Sequence, residues 1–508
     1  PVQDGNLYAG TDDGLIHVTK DGGKNWKKIE VGSIKGIPAT AFVNDIRADL
    51  FDARTVYAAL DNHKYGDFKP YIIKSTDAGN NWTLISGSID QRSLVWRLVQ
   101  DHVRKDLLFA ATEFGIWFTI DGGELWIPMK GGLPTISFRD IQIQRRENDL
   151  VAASFGRGFY ILDDLSPLRE LSTDLLKQEA KLFPVKDAWL YRPRGVTVDP
   201  GASEYRAENP PFGASFTSYL KEDMKSLKQV RKESEKKLND SKSNIPFPGW
   251  DKLEAELHED GPILVFAVKD EDGKVINHVK APAKKGIHRV SWDLRHASKN
   301  LMDPEKDTAL QVETRGYMVT PGVYSVSLYA LNKGKVDQLA EAVSFEVKPL
   351  YKQVLEPATA TEIENFRKEL ETALLEFETV KKALLETSED VKVLKNACFR
   401  LESDGGELLE EVYKTEAEVV KLNELINGKQ TKAQVGEEEG SSIAKRWSVA
   451  RMGLSTSYGP TGVHRESLQL GIEELKPITE HLRTLKKSTL PALEEKLRKA
   501  GAPIAVEL

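Results

Sequence analysis

The chain is short of most of the parts on which chemistry usually depends. Cys398 is the only cysteine in 508 residues, so no intrachain disulfide can close and no multi-cysteine metal site can be assembled. No run approaches the roughly 20 apolar residues that cross a bilayer. Apolar stretches such as Ile263 to Val268 are strand-sized, so no membrane span is expected. The 71 basic and 78 acidic residues leave a formal charge of −7, and the basic ones form no block that could track a phosphate backbone. Nucleic acid is therefore not an expected partner. H-E-x-x-H, Walker A, Rossmann glycine and G-x-S-x-G patterns do not occur in a supporting context, so neither a metal nor a cofactor is expected.

What the chain does hold is length, hydrophobic content and a repeat. At 508 residues and 40% hydrophobic content it divides into several domains, each able to bury a core. Three copies of one motif stand out: TKDGGKNW from Thr19 to Trp26, STDAGNNW from Ser75 to Trp82, and TIDGGELW from Thr119 to Trp126. Their starts lie 56 and 44 residues apart, periods that point to a radially repeated all-β unit. Asp21, Asp77 and Asp121 can accept hydrogen bonds from turn amides. Gly23, Gly79 and Gly123 permit positive φ, and Trp26, Trp82 and Trp126 cover the hairpin. These nine residues are structural on this reading. Upstream, Ala9 to Val18 and Ala110 to Thr119 match each other, and Ala152 to Ile161 is a relative without the motif.

The pattern S/T-x-D-x-G-x-x-W resembles the Asp-box or BNR repeat of sialidases, xyloglucanases and the sortilin family. Together with the segment Ala153 to Asp164, it is most similar to bacterial sortilin-like BNR-repeat proteins, often labelled glycosyl hydrolases. The resemblance implies a β-propeller whose boxes sit on blade peripheries. It also implies an extracytoplasmic home: secreted, periplasmic or at the cell surface.

The fold expected is mainly β with an α C-terminal region. Residues 1–165 read as C-terminal blades of an Asp-box β-propeller, with four-stranded blades over 43–86 and 94–128. The flanking blades lack an innermost strand before Leu7 and an outer strand after Leu162. About four blades do not close a ring of about six to eight, so blades are expected elsewhere, in the same polypeptide or another chain. The opening at Pro1, without Met, reads as a start inside a repeat. Residues 166–195 read as a connector and 196–350 as an immunoglobulin-like β-sandwich with an inserted charged helix over 222–240. Over 358–503, apolar residues at 3,4 spacing, from Ile363 to Leu384 and from Leu408 to Ile426, predict an antiparallel helical bundle, with Cys398 as a small buried residue.

For chemistry, a glycosidase needs two carboxylates across one sugar. Asp45, Glu113 and Asp140 are the candidates toward the propeller axis or its loops, although Asp45 and Asp140 also suit the start of inner strands as acceptors of backbone N–H groups. Arg97, Arg139 and Arg157 are candidate anion or sugar contacts. His63 and Tyr65, in the polar insertion from Asp61 to Asp67, are candidate rim contacts. Sialidases resembling this chain carry an F-R-I-P segment that is not found here. Two functions follow: a binding or assembly scaffold that presents the propeller to a protein, peptide or glycan, or a secreted glycoside hydrolase, xyloglucanase-like or sialidase-like, acting on a polysaccharide.

Overall fold

A computed structural model gives the fold, and it describes residues 2–193, 201, 205, 207–303, 315–401, 404–437 and 440–504. The N-terminal third is a series of small antiparallel sheets, each built from strands consecutive in sequence. The first holds β1 (Leu7–Gly10), β2 (Leu15–Thr19) and β3 (Lys27–Glu30). The second holds β4 (Phe42–Ala48), β5 (Val56–Asn62), β6 (Asp67–Ser75) and β7 (Thr83–Leu84). The third holds β8 (Val95–Gln100), β9 (Leu108–Thr112), β10 (Gly115–Thr119) and β11 (Ile127–Pro128). The fourth holds β12 (Phe138–Gln144), β13 (Asp149–Ser154) and β14 (Phe159–Leu162). Strand β1 lies against β4, β4 against β8, and β8 against β12, so the sheets follow one another as the blades of a β-propeller. Strands β5 and β9 are buried along their whole length, sandwiched between neighbouring blades, and their Val, Leu, Phe and Ala residues supply that packing.

The repeated motif closes the turn into the last strand of each of the first three sheets, from β2 to β3, β6 to β7 and β10 to β11. Asp21 accepts the amides of Lys24 (3.0 Å) and Asn25 (2.9 Å) and the Thr19 hydroxyl (2.7 Å). Asp77 and Asp121 repeat this pattern with Asn80, Asn81 and Ser75, and with Glu124, Leu125 and Thr119. The Asn25 amide, and after it the Asn25 side chain, hold the Asp21 carboxyl down at about 2; Asn81 does the same for Asp77. The Trp partners divide. Trp26 and Trp82 donate to the carbonyls of Gly23 and Gly79 within their own turns, whereas Trp126 is buried and donates 2.8 Å to the Ile85 carbonyl of the preceding blade.

The glycines of these turns also set how closely blades approach. A Cβ on Gly79 would lie 2.9 Å from Val18 of the first blade, and one on Gly123 would lie 2.5 Å from Ile85 of the second. A Cβ on Gly23 would meet only its own Trp26, at 3.8 Å. The blades dock on each other at these turns.

Beyond the blades, two sheets enclose a second core. Strands β15 (Ala180–Leu182), β17 (Ala214–Leu220) and β20 (Gly286–Trp292) form one sheet. Strand β16 (Ala188–Leu190), parallel to β22 (Lys335–Pro349), joins β21 (Gly322–Asn332), β18 (Ile263–Lys269) and β19 (Val275–Pro282) in the other. Phe216 of the first sheet stacks on Phe266 of the second, with ring centroids 5.8 Å apart, and Trp292 is buried beside them. The charged insert is helix α1 (Leu227–Asp240), which buries none of its residues, followed by α2 (Trp250–Leu257). One sequence expectation changes here. Residues 166–195 are more than a connector, because they supply β15 and β16 to the sheets, where short strands of mixed polarity gave no period to read. Of that segment's aromatics, Phe183 is fully buried but Trp189 is exposed. The start expected at 196 lies outside the described residues.

The C-terminal region is helical: α3 (Ala360–Cys398), α4 (Gly406–Asn427), α5 (Gln430–Gln434), α6 (Ile443–Met452), α7 (Gly462–Thr484) and α8 (Leu490–Lys499). Phe366, Leu370, Phe377, Val380 and Leu384 of α3 share one core with Val412, Val419 and Ile426 of α4 and with Leu475 and Leu482 of α7. Pro477 lies inside α7, and a single π turn at Leu485–Thr489 separates it from α8, which carries Pro491 in its first turn. Cys398 is buried, and burial pushes its thiol up.

Two predictions follow from the turns. Gly123→Ala adds a steric clash to a φ of +106°, and should destabilise the propeller by about 3 kcal/mol; Gly23→Ala meets only the φ penalty and should cost about 1 kcal/mol. Urea unfolding followed by tryptophan fluorescence measures the difference, and equal losses would contradict it. The second concerns pH. A carboxyl held low in the folded chain contributes stability that is complete above its unfolded value of about 3.9 and is lost as pH falls toward the folded one. The melting-temperature deficit of Asp77→Asn should therefore be full at neutral pH and shrink from about pH 4 downward.

Candidate functional site

Strand register places the candidate residues at one end of the propeller. Phe42, which begins β4, faces Asp61; Val95, which begins β8, faces Thr112; and Phe138, which begins β12, faces Ser154. In these three blades, then, the start of the first strand and the turn between the second and third strands share an end. His63, Tyr65, Glu113, Arg139 and Arg157 all lie there. The motif turns and the loops between first and second strands occupy the opposite end.

At the candidate end, side chains from three blades form a continuous surface. Lys64 lies 4.5 Å over the Phe42 ring, and His63 meets Phe42 and Trp96 edge-on at 5.7 Å and 5.9 Å. The Arg139 guanidinium sits 3.6 Å over Trp96 and 5.2 Å from Phe155, which is 71% exposed. Beneath this track the acids are already engaged. Asp61 is fully buried and accepts the His63 amide (2.7 Å) and bonds the His63 ring at Nδ1 (2.7 Å). Glu113 accepts Trp96 Nε1 and the Ser137 hydroxyl, both at 2.9 Å, and pairs with Arg139 at 3.8 Å. Tyr65 and Arg157 are exposed on their turns.

Toward the axis, an open cleft of about 440 Å³ lies among β4, β8 and β12, lined by Asp45, Arg47, Arg97 and Asp140. Asp45 accepts the Leu98 amide of the next blade (2.9 Å) and Arg47 Nε (3.0 Å). Arg97 donates to the Asn44 carbonyl of the preceding blade and reaches toward Asp140 of the following one, at 4.0 Å. Asp140 also accepts the amide of Ile141. The structure thus brings Asp45 and Asp140 to one cleft, and places Glu113 apart from them in the aromatic track. Among the described residues, no group of three or more His, Cys, Asp or Glu side chains is placed to hold a metal ion.

Sequence reading passed over Phe42, Trp96 and Phe155, the aromatic members of the track. It also passed over two buried aspartates at the opposite end. Asp49 accepts Gln100 Nε2 of the next blade (2.7 Å) and the amides of Phe51 and Asp52. Asp101 takes Arg169 in a two-pronged pair at 2.8 and 2.9 Å, which anchors the segment leaving the last blade. Both precede matching strands, Val56-Tyr57-Ala58-Ala59 and Leu108-Phe109-Ala110-Ala111, by seven residues; that alignment was the available signal.

No family model matches the chain, and no curated protein does. Solved structures do. A structure of YCF48 bound to D1 peptide is 15% identical over 32% of this chain and 49% of that one, with a TM-score of 0.26. PorZ, a surface component of the type-IX secretion system of Porphyromonas gingivalis, is 12% identical over 67% and 36%, TM-score 0.26. The GH74 xyloglucanase from Xanthomonas campestris is 10% identical over 67% and 44%, TM-score 0.27. In each case the chain covers less than half of the matched protein. No helix of the described residues is long and apolar enough to cross a membrane.

Arg97→Ala removes both inter-blade contacts of that side chain and should destabilise the propeller by about 1–2 kcal/mol. Arg157→Ala, on an exposed turn, should stay within about 0.5 kcal/mol of the parent in the same urea titration.

Proposed function

We propose that the chain is an extracytoplasmic binding or assembly scaffold, presenting a sortilin-like, Asp-box propeller to a protein, peptide or glycan. The observation that carries this reading is the track Lys64, Phe42, His63, Trp96, Arg139 and Phe155, which offers aromatic faces and cations across three blades. Aromatic side chains with a polar handle give contact area at low conformational cost, and Arg over Trp keeps a directed donor beside them. In the same reading, residues 1–165 are the blades, the two-sheet unit is an immunoglobulin-like sandwich and 358–503 an antiparallel helical bundle. Strand β1 pairs only with β2 among the described residues, and its other edge is the seat of an innermost strand from further blades, in the same polypeptide or another chain.

The second reading, a secreted glycoside hydrolase, is favoured by the cleft that gathers Asp45 and Asp140. It asks those carboxylates to act as acid and base or nucleophile. Against it, Asp45 already receives a backbone amide and a guanidinium, and Arg97 ties Asp140 to the blade junction. Incubation of the full chain with a broad panel of polysaccharides should release no reducing ends. Turnover that disappears in both Asp45→Asn and Asp140→Asn would replace the scaffold with the hydrolase.

A further inference from the structure

Away from the propeller, a cleft of about 310 Å³ opens between the two-sheet unit and the helices, within the size range of small-ligand sites. Five cationic side chains line it: Arg192 after β16, Arg295, Lys299 and Arg315 from the segments between β20 and β21, and Arg451 of α6. Two carboxylates, Glu371 and Glu378 of α3, share the lining. This concentration of positive charge lies in a chain whose net charge is −7.

The cations outnumber what neutralises them. Asp293 serves both Arg295 (3.5 Å) and Arg315 (3.6 Å). Glu378 serves both Arg451 (3.5 Å) and Lys381 (3.2 Å). Glu371 is bound by Arg367, which lies outside the cleft and is itself shared with Glu364; burial raises the Glu371 carboxyl, and its Oε1 has no hydrogen-bond partner. Among the described residues, Arg192 donates only to neutral acceptors, the carbonyls of Leu454 and Thr456, both at 2.8 Å, and Lys299 forms no ion pair, its charge acting on Glu371 at longer range. Burial first, and the charge of Arg295 second, lower the Arg192 pKa, the sign of a cation held without a counter-charge.

We infer that this cleft binds a small anion carrying two or more oxyanion groups, a phosphate ester or a polycarboxylate. Planar guanidinium forks match carboxylate and phosphate oxygens two at a time, and several of them around one volume suit a multivalent anion better than chloride. Because Arg192, Arg295, Lys299 and Arg315 belong to the sheet unit and its flanks while Arg451 belongs to the helices, the bound anion joins the two.

Calorimetric titration of the full chain with inorganic pyrophosphate and, separately, citrate at fixed ionic strength tests the site. Saturable binding of one anion per chain is expected for at least one probe. The pyrophosphate arm reports phosphate chemistry and the citrate arm carboxylate chemistry. Lys299→Glu and Arg315→Glu, both at exposed side chains, should each weaken binding tenfold or more with an unchanged melting profile. Lys335→Glu, the same charge change on a distant hairpin, should leave it unaltered. Absence of saturable binding by both probes, or equal weakening by Lys335→Glu, would overturn the inference.

Discussion

The architecture depends on how inner strands of neighbouring blades are joined without sharing a sheet. An edge strand carries backbone groups that need partners, and here side chains of the adjacent blade supply them. Asp45 reaches forward to the Leu98 amide, and Arg97 reaches back to the Asn44 carbonyl. This reciprocal exchange fixes the relative height of β4 and β8. It therefore fixes how the loops at their ends stand next to each other. The aromatic track crosses the loops of these two blades and continues onto the next through Arg139, which lies over Trp96 and beside Phe155.

The two ends of the propeller then do different work. At one end, the motif turns, the close-approach glycines and the buried Asp49 and Asp101 fasten blade to blade and the last blade to the segment that follows. These contacts are short and largely satisfied. At the other end, Phe155 and Tyr65 project into solvent, and Arg139 rests on an indole face. Rigid fastening below leaves the upper loops free to carry exposed aromatic surface, the arrangement on which recognition by loops generally rests.

Much of the propeller was legible because its repeat writes local physics into local sequence. A turn needing a carboxylate acceptor, a positive φ and a covering indole leaves Asp, Gly and Trp at fixed spacing, and Asp77, Gly79 and Trp82 occupy those roles. The helical seam from Phe366 to Leu384 was legible for the same reason, since burial on one face imposes a period. The candidate site was less so. Asp45 and Asp140 were placed by strand reading, but their sharing of a cleft with Arg97 depends on blade packing. Trp96 and Phe155 lie 59 residues apart in sequence and meet through one guanidinium, a contact that no period encodes. Strands β15 and β16 escaped because three-residue strands, held by distant partners, have no pattern of their own.

The central claim is that the loop end bearing Trp96 and Arg139 is a ligand surface. Binding of the full chain to an immobilised library of peptides and glycans, run beside Trp96→Ala, tests it most directly. The account predicts that the parent retains specific library members and that Trp96→Ala loses them while its unfolding remains cooperative. Undiminished retention by Trp96→Ala would contradict it.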